Sequence, residues 1–318
     1  MPRVLLVKTS SLGDVVHNLP VVSDLMAMQP ALTIDWVVEE AFAAIPRLHP
    51  HVSRVLPVAV RRWRRAPWRS DVRAEICRFL SDLRSVNYDA VIDTQGLLKS
   101  AWISRAAHGD RHGLDWSSSR EPLAWFYNRT HRVPWGQHAV ERNRSLAAQT
   151  MGYAITTPAR YGISAAAQEF AWLSGRAPYA LLLHATSAER KLWPEANWVE
   201  LGRKLALRGA ACVLPWGAEA ERLRSERLAK QIPQAIVPAR MDIAALAALL
   251  AGAQAVVGTD TGLTHLAGAL EVPTIGLYCA TDPAATGLYA CTRAANLGGI
   301  GATPAVDAVV RAMDGLLR

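Results

Sequence analysis

Cysteine is scarce in this sequence, and the residues that occur lie far apart. None belongs to a C-x-x-C pair or has a neighbouring histidine pattern, so the spacing disfavours both a disulfide framework and a zinc site. We expect reduced thiols and no bound metal. The four cysteines are Cys77, Cys212, Cys279 and Cys291.

A long apolar run is missing from the N-terminus. The sequence opens MPRVLLVKTSSLGD, where Lys8 ends the apolar stretch. A stretch this short matches neither a secretory signal nor a membrane span. We therefore expect a protein that remains in the cytoplasm.

Three nucleotide- and metal-binding motifs are also missing. The chain has no G-x-G-x-x-G dinucleotide fingerprint, no G-x-x-x-x-G-K-[ST] phosphate loop and no D-x-D motif. The first absence counts against an NAD(P)-dependent oxidoreductase. Without the D-x-D motif, nothing in the sequence calls for a bound metal, and we expect no cofactor.

The pattern of apolar segments predicts an α/β protein with two domains. The 318 residues are about twice the usual length of one domain, and 51% of them are hydrophobic. Short apolar runs alternate with helical patterns in both halves, which is typical of doubly wound, Rossmann-like sheets. We predict an N-terminal domain at 1–155, a linker and connecting helix at 156–178, and a C-terminal domain at 179–318. Ligands should bind at the carboxyl ends of the strands, in a cleft between the domains.

Two smaller elements are predicted in the C-terminal half. Residues Ala235 to Val237 form a short apolar run, which indicates a strand. An amphipathic pattern from Pro304 to Leu317, behind Thr303 as a cap, predicts a terminal helix.

Positive charge is concentrated in one segment. The formal net charge is +8, and five arginines occur with no acid between them, beside Trp63 and Trp68. Such a loop suits nucleic acid, an anionic membrane surface or a phosphorylated acceptor, because guanidinium groups bind phosphate and carboxylate in pairs of hydrogen bonds. A solvated charged loop is the alternative. The arginines are Arg61, Arg62, Arg64, Arg65 and Arg69.

The first strand leads into a loop with candidate catalytic chemistry. In KTSSLGD, Gly13 permits a tight turn and Asp14 lies at a helix start. The Asp14 carboxylate is placed to accept a proton from an attacking hydroxyl. A simple helix cap is the alternative role.

Two segments of the C-terminal half are suited to a diphosphate. HATSAERKLWPE places two hydroxyls and a lysine after a strand, and GTDTGLTHLAGAL places a helix N-terminus after another. Helix N-terminal amides and a lysine both stabilise phosphate charge. An ordinary surface loop and a hydrogen-bonded structural histidine are the alternatives. The candidate residues are Thr186, Ser187, Lys191, Asp260, Thr261, Gly262, Thr264 and His265.

Two further residues suggest a nucleoside site. Glu221, in LPWGAEAE, is placed to hold ribose hydroxyls, and Met241 to pack on a purine ring. A solvated glutamate and a core methionine are the alternatives.

Over nearly its whole length the sequence resembles the ADP-heptose:lipopolysaccharide heptosyltransferases, most closely the type I enzymes of inner-core assembly. The segments that carry the resemblance are KTSSLGDVVHNLP, DTQGLLKSA, GLDWSSSREPLA, HAVERNR, HATSAERKLWPE, LPWGAEAE and GTDTGLTHLAGAL. The resemblance implies a GT-B fold, whose two Rossmann-like domains face a central cleft. It also implies an inverting glycosyltransferase that moves heptose from ADP-heptose to the first Kdo of Kdo-lipid A, peripherally on the cytoplasmic face of the inner membrane.

The resemblance also implies roles for single residues. Asp14 corresponds to the general base, and Lys191 to a group that holds charge on the leaving diphosphate. Ser187 stands where the family commonly has threonine, and the following AER is less acidic than usual. The implied donor contacts are Thr186, Ser187, Lys191, Glu221, Met241, Asp260, Thr261, Gly262 and His265. The implied acceptor contacts are Arg61, Arg62, Arg64, Arg65 and Arg120.

Three other interpretations remain open on the sequence alone. The first is a type II heptosyltransferase, which transfers to heptose and whose first loop usually carries a different, tryptophan-containing motif. The second is an oxidoreductase built on tandem Rossmann units. The third is a non-catalytic protein that binds a nucleotide or an anionic lipid.

Overall fold

Two parallel β-sheets organise the chain in the computed structural model, which describes residues 1–176 and 178–318. The chain divides into two units, Met1–Ile163 and Ser164–Arg318, each with one sheet. Helices connect successive parallel strands in both units, as the alternating apolar segments predict.

The first unit contains a six-stranded parallel sheet in the order β3-β2-β1-β4-β5-β6. This is the doubly wound order, in which the direction of winding reverses between β1 and β4. Its strands are Arg3–Val7 (β1), Thr33–Glu39 (β2), Val52–Val58 (β3), Asn87–Asp93 (β4), His108–Leu114 (β5) and Arg129–His131 (β6). Its helices are Leu12–Val16 (α1), Leu19–Met28 (α2), Ala44–Arg47 (α3), Val60–Trp63 (α4), Ser70–Arg84 (α5), Leu98–Ala106 (α6) and Ala139–Met151 (α7).

The core of the first unit lies on both faces of the central strands. Residues 4–7 of β1 are fully buried, which explains why that strand is apolar without alternation. On one face α5 contributes Val72, Phe79 and Leu83, whose spacing places them on one side of the helix. None of the helices in the described ranges is both long and apolar enough to cross a membrane.

The second unit contains a five-stranded parallel sheet in the order β11-β10-β9-β7-β8. Here the winding reverses between β7 and β9. The strands are Tyr179–Leu183 (β7), Ala211–Val213 (β8), Ala255–Thr259 (β9), Thr274–Tyr278 (β10) and Ala294–Gly298 (β11). The helices are Glu195–Leu207 (α8), Glu219–Ala229 (α9), Ile243–Ala251 (α10), Gly262–Ala269 (α11), Pro283–Thr286 (α12) and Val306–Leu316 (α13).

The strand predicted at Ala235 to Val237 is reduced to a single bridge. Ile236 pairs in parallel with Val213, and the Leu214 N–H donates to the Ile236 carbonyl. The bridge continues the sheet beyond β8 as an edge, and the Trp216 indole holds the chain there by donating to the Pro238 carbonyl at 2.8 Å. The predicted position was right and the predicted strand length was wrong.

The terminal helix begins later than the sequence predicts. Its N-cap is Ala305 and its first residue is Val306, so Thr303 does not cap it. The Pro304 carbonyl accepts a hydrogen bond from the Trp193 indole at 2.9 Å, while Ala305 supplies the first helical acceptor. The tertiary contact with Trp193 therefore holds Pro304 outside the helix.

Described residues between 156 and 178 form one 3₁₀ turn, Ala171–Leu173, where a connecting helix was expected. The start of this stretch is held against the first unit, because Arg144 donates to the Thr157 carbonyl at 2.7 Å. At Gly162 the φ angle is +65°, and a side chain there would clash with Ser23 and His49. Ala177, within the predicted linker, lies outside the described residues.

Candidate active site

The loops after β1 and β4 form a cavity at the point where the first sheet reverses direction. Ligands of doubly wound folds bind at such a point, beyond the carboxyl ends of the strands. The cavity has a volume of about 240 Å³. Its charged and polar lining includes Lys8, Asp14, Gln95, Arg120 and Arg142.

Asp14 lies in α1 and is oriented by its own loop. Its Oδ2 atom accepts hydrogen bonds from the Ser11 N–H and the Ser11 hydroxyl, each at 2.8 Å. The Asp14 side chain therefore closes a capping box at the start of the helix, while the residue stays partly exposed to the cavity. The capping and catalytic roles weighed from the sequence are compatible, because one carboxylate oxygen is used for the cap.

Gln95 fixes the loop that carries Asp14. Its Oε1 accepts from the Thr9 and Ser10 N–H groups, both at 3.0 Å. Gln95 is itself held by Asp93, whose Oδ1 accepts from the Gln95 N–H at 2.9 Å. Asp93 is fully buried, and this burial raises its pKa above the usual range for a carboxyl group. The loop after β4 thus holds the loop after β1 in place.

Lys8 is a buried cation that the sequence did not single out as a site residue. Its Nζ donates to the Thr94 carbonyl at 2.8 Å and to Asn143 Oδ1 at 3.3 Å. Burial lowers the pKa of Lys8, and the charges of Asp14 and Asp93 oppose that shift. The sequence signal that could have identified Lys8 is its position directly after a buried central strand.

Two arginines face one tryptophan in the same cavity. The Arg142 guanidinium lies 4.0 Å and that of Arg120 6.0 Å from the Trp135 ring centroid. Burial lowers the pKa of Arg142, and repulsion from Arg120 adds to the shift. Arg120 was predicted as an acceptor contact and Arg142 was not, although it lies in the HAVERNR segment. Together they make the cavity attractive to an anionic group.

The predicted basic loop starts as a short helix, α4, and does not line this cavity. Arg61, Arg64 and Arg65 are exposed. Arg62 forms salt bridges of 2.9 Å to Glu40 and 2.8 Å to Glu75, two acids that the local sequence does not reveal. The hydrogen bonds that Arg62 donates to those carboxylates raise its pKa. Of the five predicted acceptor contacts, the structure therefore brings only Arg120 together with Asp14.

The second candidate site lies where the second sheet reverses direction, after β7 and β9. Asp260 is its centre. Its Oδ2 accepts from Lys191 Nζ at 2.7 Å and from the Thr281 hydroxyl at 2.8 Å, and its Oδ1 lies 3.4 Å from His265 Nε2. The Thr186 hydroxyl donates to the Asp260 carbonyl at 3.0 Å. Hydrogen bonds therefore connect the two segments predicted to bind a diphosphate. Thr281, which the sequence did not identify, also contacts Asp260.

The Asp260 carboxylate remains ionised although it is buried. Burial acts to raise its pKa, but the hydrogen bonds from His265 and Lys191 outweigh burial, and the pKa lies well below its usual range. The carboxylate therefore holds Lys191 and His265 in position beside the N-terminus of α11. Thr261 is the N-cap of that helix and Gly262 its first residue.

Glu221, in the first turn of α9, and Met241, in the loop before α10, lie along the same edge of the sheet. Glu221 Oε2 accepts from the Gly217 and Ala218 N–H groups at 2.8 and 3.1 Å, so it caps α9. Met241 is half-buried just before α10. Ser187 is exposed on the loop after β7. Every residue predicted to contact the donor lies beyond the carboxyl end of β7, β8, β9 or the bridge at 236.

His184 is a further buried group that the sequence did not identify. Its Nε2 lies 2.7 Å from the Ser225 hydroxyl, which joins the end of β7 to α9. Burial lowers the pKa of His184 to about 4, so the ring is neutral at pH 7. This contact holds the end of β7 against α9. Among the described residues no group of three or more His, Cys, Asp or Glu side chains is placed to hold a metal ion.

Comparison with known proteins gives these two sites a context. The family model of glycosyltransferase family 9 (heptosyltransferase) matches residues 76–312. Lipopolysaccharide heptosyltransferase 1 of Pseudomonas aeruginosa is 50% identical over 90% of this chain and 81% of its own. That of Escherichia coli K12 is 48% identical over 90% of this chain and 91% of its own.

A solved structure, the E. coli heptosyltransferase WaaC with ADP, superposes with a TM-score of 0.89 at 45% identity and covers 99% of both chains. The predicted α/β GT-B fold class, the enzyme class and the resemblance to type I enzymes are confirmed. The chain therefore belongs to glycosyltransferase family 9, the heptosyltransferases.

Proposed function

We propose that this chain transfers L-glycero-D-manno-heptose from ADP-heptose to the first Kdo residue of Kdo-lipid A, with inversion at the anomeric carbon. Its similarity to lipopolysaccharide heptosyltransferases of type I supports the reaction class. The carrying observation is the cavity where Asp14 lies among Lys8, Arg120 and Arg142, because it offers a base beside cations that suit an acidic sugar.

In this mechanism the Asp14 carboxylate takes the proton of the attacking Kdo hydroxyl. The hydroxyl oxygen then forms a bond to the anomeric carbon of heptose, while the bond from that carbon to the diphosphate oxygen breaks. Arg120 and Arg142 would pair with the Kdo carboxylate, since guanidinium groups bind carboxylates with two parallel hydrogen bonds.

ADP is the leaving group, and residues of the second unit would stabilise the negative charge that develops on it. Lys191 would turn from Asp260 toward the diphosphate, with the amides at the start of α11 as further donors. Thr186, Ser187 and His265 complete the sugar-diphosphate contacts in this proposal. Glu221 would hold the ribose and Met241 the adenine. The reaction uses no cofactor in this scheme.

We further propose that the chain works peripherally, on the cytoplasmic face of the inner membrane. The support is the exposed cationic group Arg61, Arg64 and Arg65 beside Trp68, whose side chain is 71% exposed. Basic residues are attracted to anionic lipid, and tryptophan favours the membrane interface.

The direct test is to incubate the protein with Kdo-lipid A and ADP-heptose and to record the mass of the lipid. The expected result is the added mass of one heptose and the release of one ADP for each heptose transferred. Hydride transfer with NAD(P)H, or nucleotide binding without any product, would contradict the proposal. A product formed only when the acceptor already carries heptose would indicate the type II reaction instead.

A further inference from the structure

An apolar groove runs between α5 and α6 on the surface of the first unit. It has a volume of about 630 Å³, within the range of roughly 300–1,000 Å³ that is usual for ligand pockets. One wall is formed by Ile76, Phe79 and Leu80 of α5, and the other by Trp102 and Ile103 of α6. The groove is distinct from the Asp14 cavity.

The mouth of this groove leaves large apolar side chains in water. Trp102 is 60% exposed and Leu98 is 49% exposed, although both line the groove. Deeper in, Phe79 and Ile103 belong to the core of the unit. A contiguous apolar surface of this kind is typical of a binding site for an apolar group.

The rim of the groove is positively charged. Arg64 and Lys99 line it. Among the described residues of the lining, these two cations outnumber the one acid, Glu121, whose Oε2 accepts from the Leu98 N–H at 2.6 Å. An apolar channel with a cationic rim is complementary to an anionic lipid.

The groove and the Asp14 cavity are neighbours. Leu97 lines both of them. Lys99 lines the groove, and its Nζ donates to the hydroxyl of Ser10, a residue of the cavity wall, at 2.5 Å. A single molecule with a sugar in the cavity can therefore extend an attached chain into the groove.

We propose that this groove binds one acyl chain of the acceptor lipid, while the acidic sugar of the same molecule lies in the Asp14 cavity. The proposal rests on the proposed function, since it names a second subsite for the same acceptor. Lys99 lies at the junction, where the anionic head of the lipid joins its chain, and Arg64 lies along the groove.

The first test compares an acylated acceptor with the same acceptor after removal of its acyl chains. The variants are Trp102→Glu and Leu98→Glu, which place a charge at the mouth of the groove on exposed positions. Because each buried methylene group changes a binding constant by roughly fourfold, the KM for the acylated acceptor should rise at least about tenfold. The KM for the deacylated acceptor should stay within about twofold.

Trp125→Glu is the matched control, since Trp125 is 84% exposed and lies outside the groove. It should change neither KM. If the groove variants shift both acceptors equally, or if Trp125→Glu has the same effect as they do, the groove does not hold a chain.

A second test maps the chain directly with an acceptor lipid that carries a photoreactive diazirine on an acyl chain. Labelling of peptides from Ser70–Arg84 or Leu98–Ala106 supports the proposal. Labelling elsewhere, or cross-linking of two copies through the groove, overturns it. If the groove is labelled but wild type forms no product, the proposed function fails and the groove stands. If wild type forms product but the label is found elsewhere, the proposed function stands and the groove proposal fails.

Discussion

The carboxylate of Asp14, which we propose as the general base, is oriented without being buried. Ser11 holds one of its oxygens, and Gln95 fixes the preceding backbone through two N–H groups. Such positioning groups make the carboxylate available in one orientation, which is a large part of what a general base contributes.

We predict that Asp14→Asn lowers kcat by about 10²–10⁴, because the amide cannot take the proton of the acceptor hydroxyl. ADP affinity, measured by calorimetry, should be unchanged, since the predicted donor residues belong to the second unit. Asp71→Asn is the control, an exposed carboxylate on α5 that pairs with Arg69. Wild-type turnover in Asp14→Asn would remove Asp14 from the mechanism.

Asp260 allows a prediction about stability and pH. Asp260→Asn should lower the free energy of unfolding at pH 7 by roughly 1–3 kcal/mol, because the buried site loses charge-assisted hydrogen bonds. The folded-state pKa of Asp260 lies below its ordinary value of 3.8. Its contribution is therefore complete above about pH 4 and is lost as the pH falls toward the folded-state pKa.

Urea unfolding of wild type and Asp260→Asn between pH 7 and pH 2.5 measures this effect. The difference between the two proteins should be constant down to about pH 4 and should then shrink. A difference that does not depend on pH would mean that the charge of Asp260 contributes nothing to stability.

The arginines around α4 differ in what they contact. Arg62 joins the 3₁₀ turn Glu40–Phe42 to α5 through its two acidic partners, so it serves the fold of the segment. Arg61, Arg64 and Arg65 are exposed and are the members available to an anionic ligand. Fewer arginines of the basic segment are therefore available to an anionic ligand than its sequence suggests.

We predict that replacing Arg61, Arg64 and Arg65 together by alanine raises the acceptor KM and weakens binding to anionic vesicles. ADP affinity should stay within about twofold. Added salt should have the same effect on wild type, because exposed charges are screened beyond roughly 8–10 Å at ordinary ionic strength.

The matched control removes the same charge from the second unit through Arg293, Arg311 and Arg318. It should leave the acceptor KM unchanged. Loss of ADP binding in the first variant, with normal use of acceptor, would assign the segment to the donor.

At the level of the whole chain, the two units repeat one design. Each sheet reverses its winding once, and in each the two main candidate loops follow the two strands at that reversal. The first unit presents a carboxylate among cations, and the second presents a lysine and a helix N-terminus around Asp260. The difference in charge and donors predicts different ligands for the two units.

We predict that ADP protects amide hydrogens of the second unit from exchange, most strongly in 184–191 and 260–265. A ligand stabilises the structure that it binds, so protection should be greatest around its contacts. Hydrogen exchange with mass spectrometry, with and without ADP, measures this. Protection centred on the loop after β1 would show that the two ligands are assigned to the wrong halves.

Local patterns in the sequence were enough to predict the central strands, most helices and the loops that carry the candidate residues. Buried parallel strands need continuous apolar runs, as in residues 4–7, and such runs are visible without a structure. The strands β5, β6 and β11 were missed because their sequences, HGDRHGL, RTH and AANLG, are polar or weakly apolar. Of these, β6 and β11 lie at the edges of their sheets, where a strand has fewer neighbours and needs less apolar surface.

The order of residues along the chain determined which groups follow which strand. It therefore placed Asp14, Lys191 and Asp260 beyond the carboxyl ends of their strands. Only the tertiary structure decided their partners. Lys8 meets Asn143 across 135 positions, and Arg62 meets Glu75 across 13. Contacts between residues so far apart depend on how the strands and helices pack, and a local pattern carries no record of that packing. The cation-lined cavity and the apolar groove beside it were likewise decided by the tertiary structure alone.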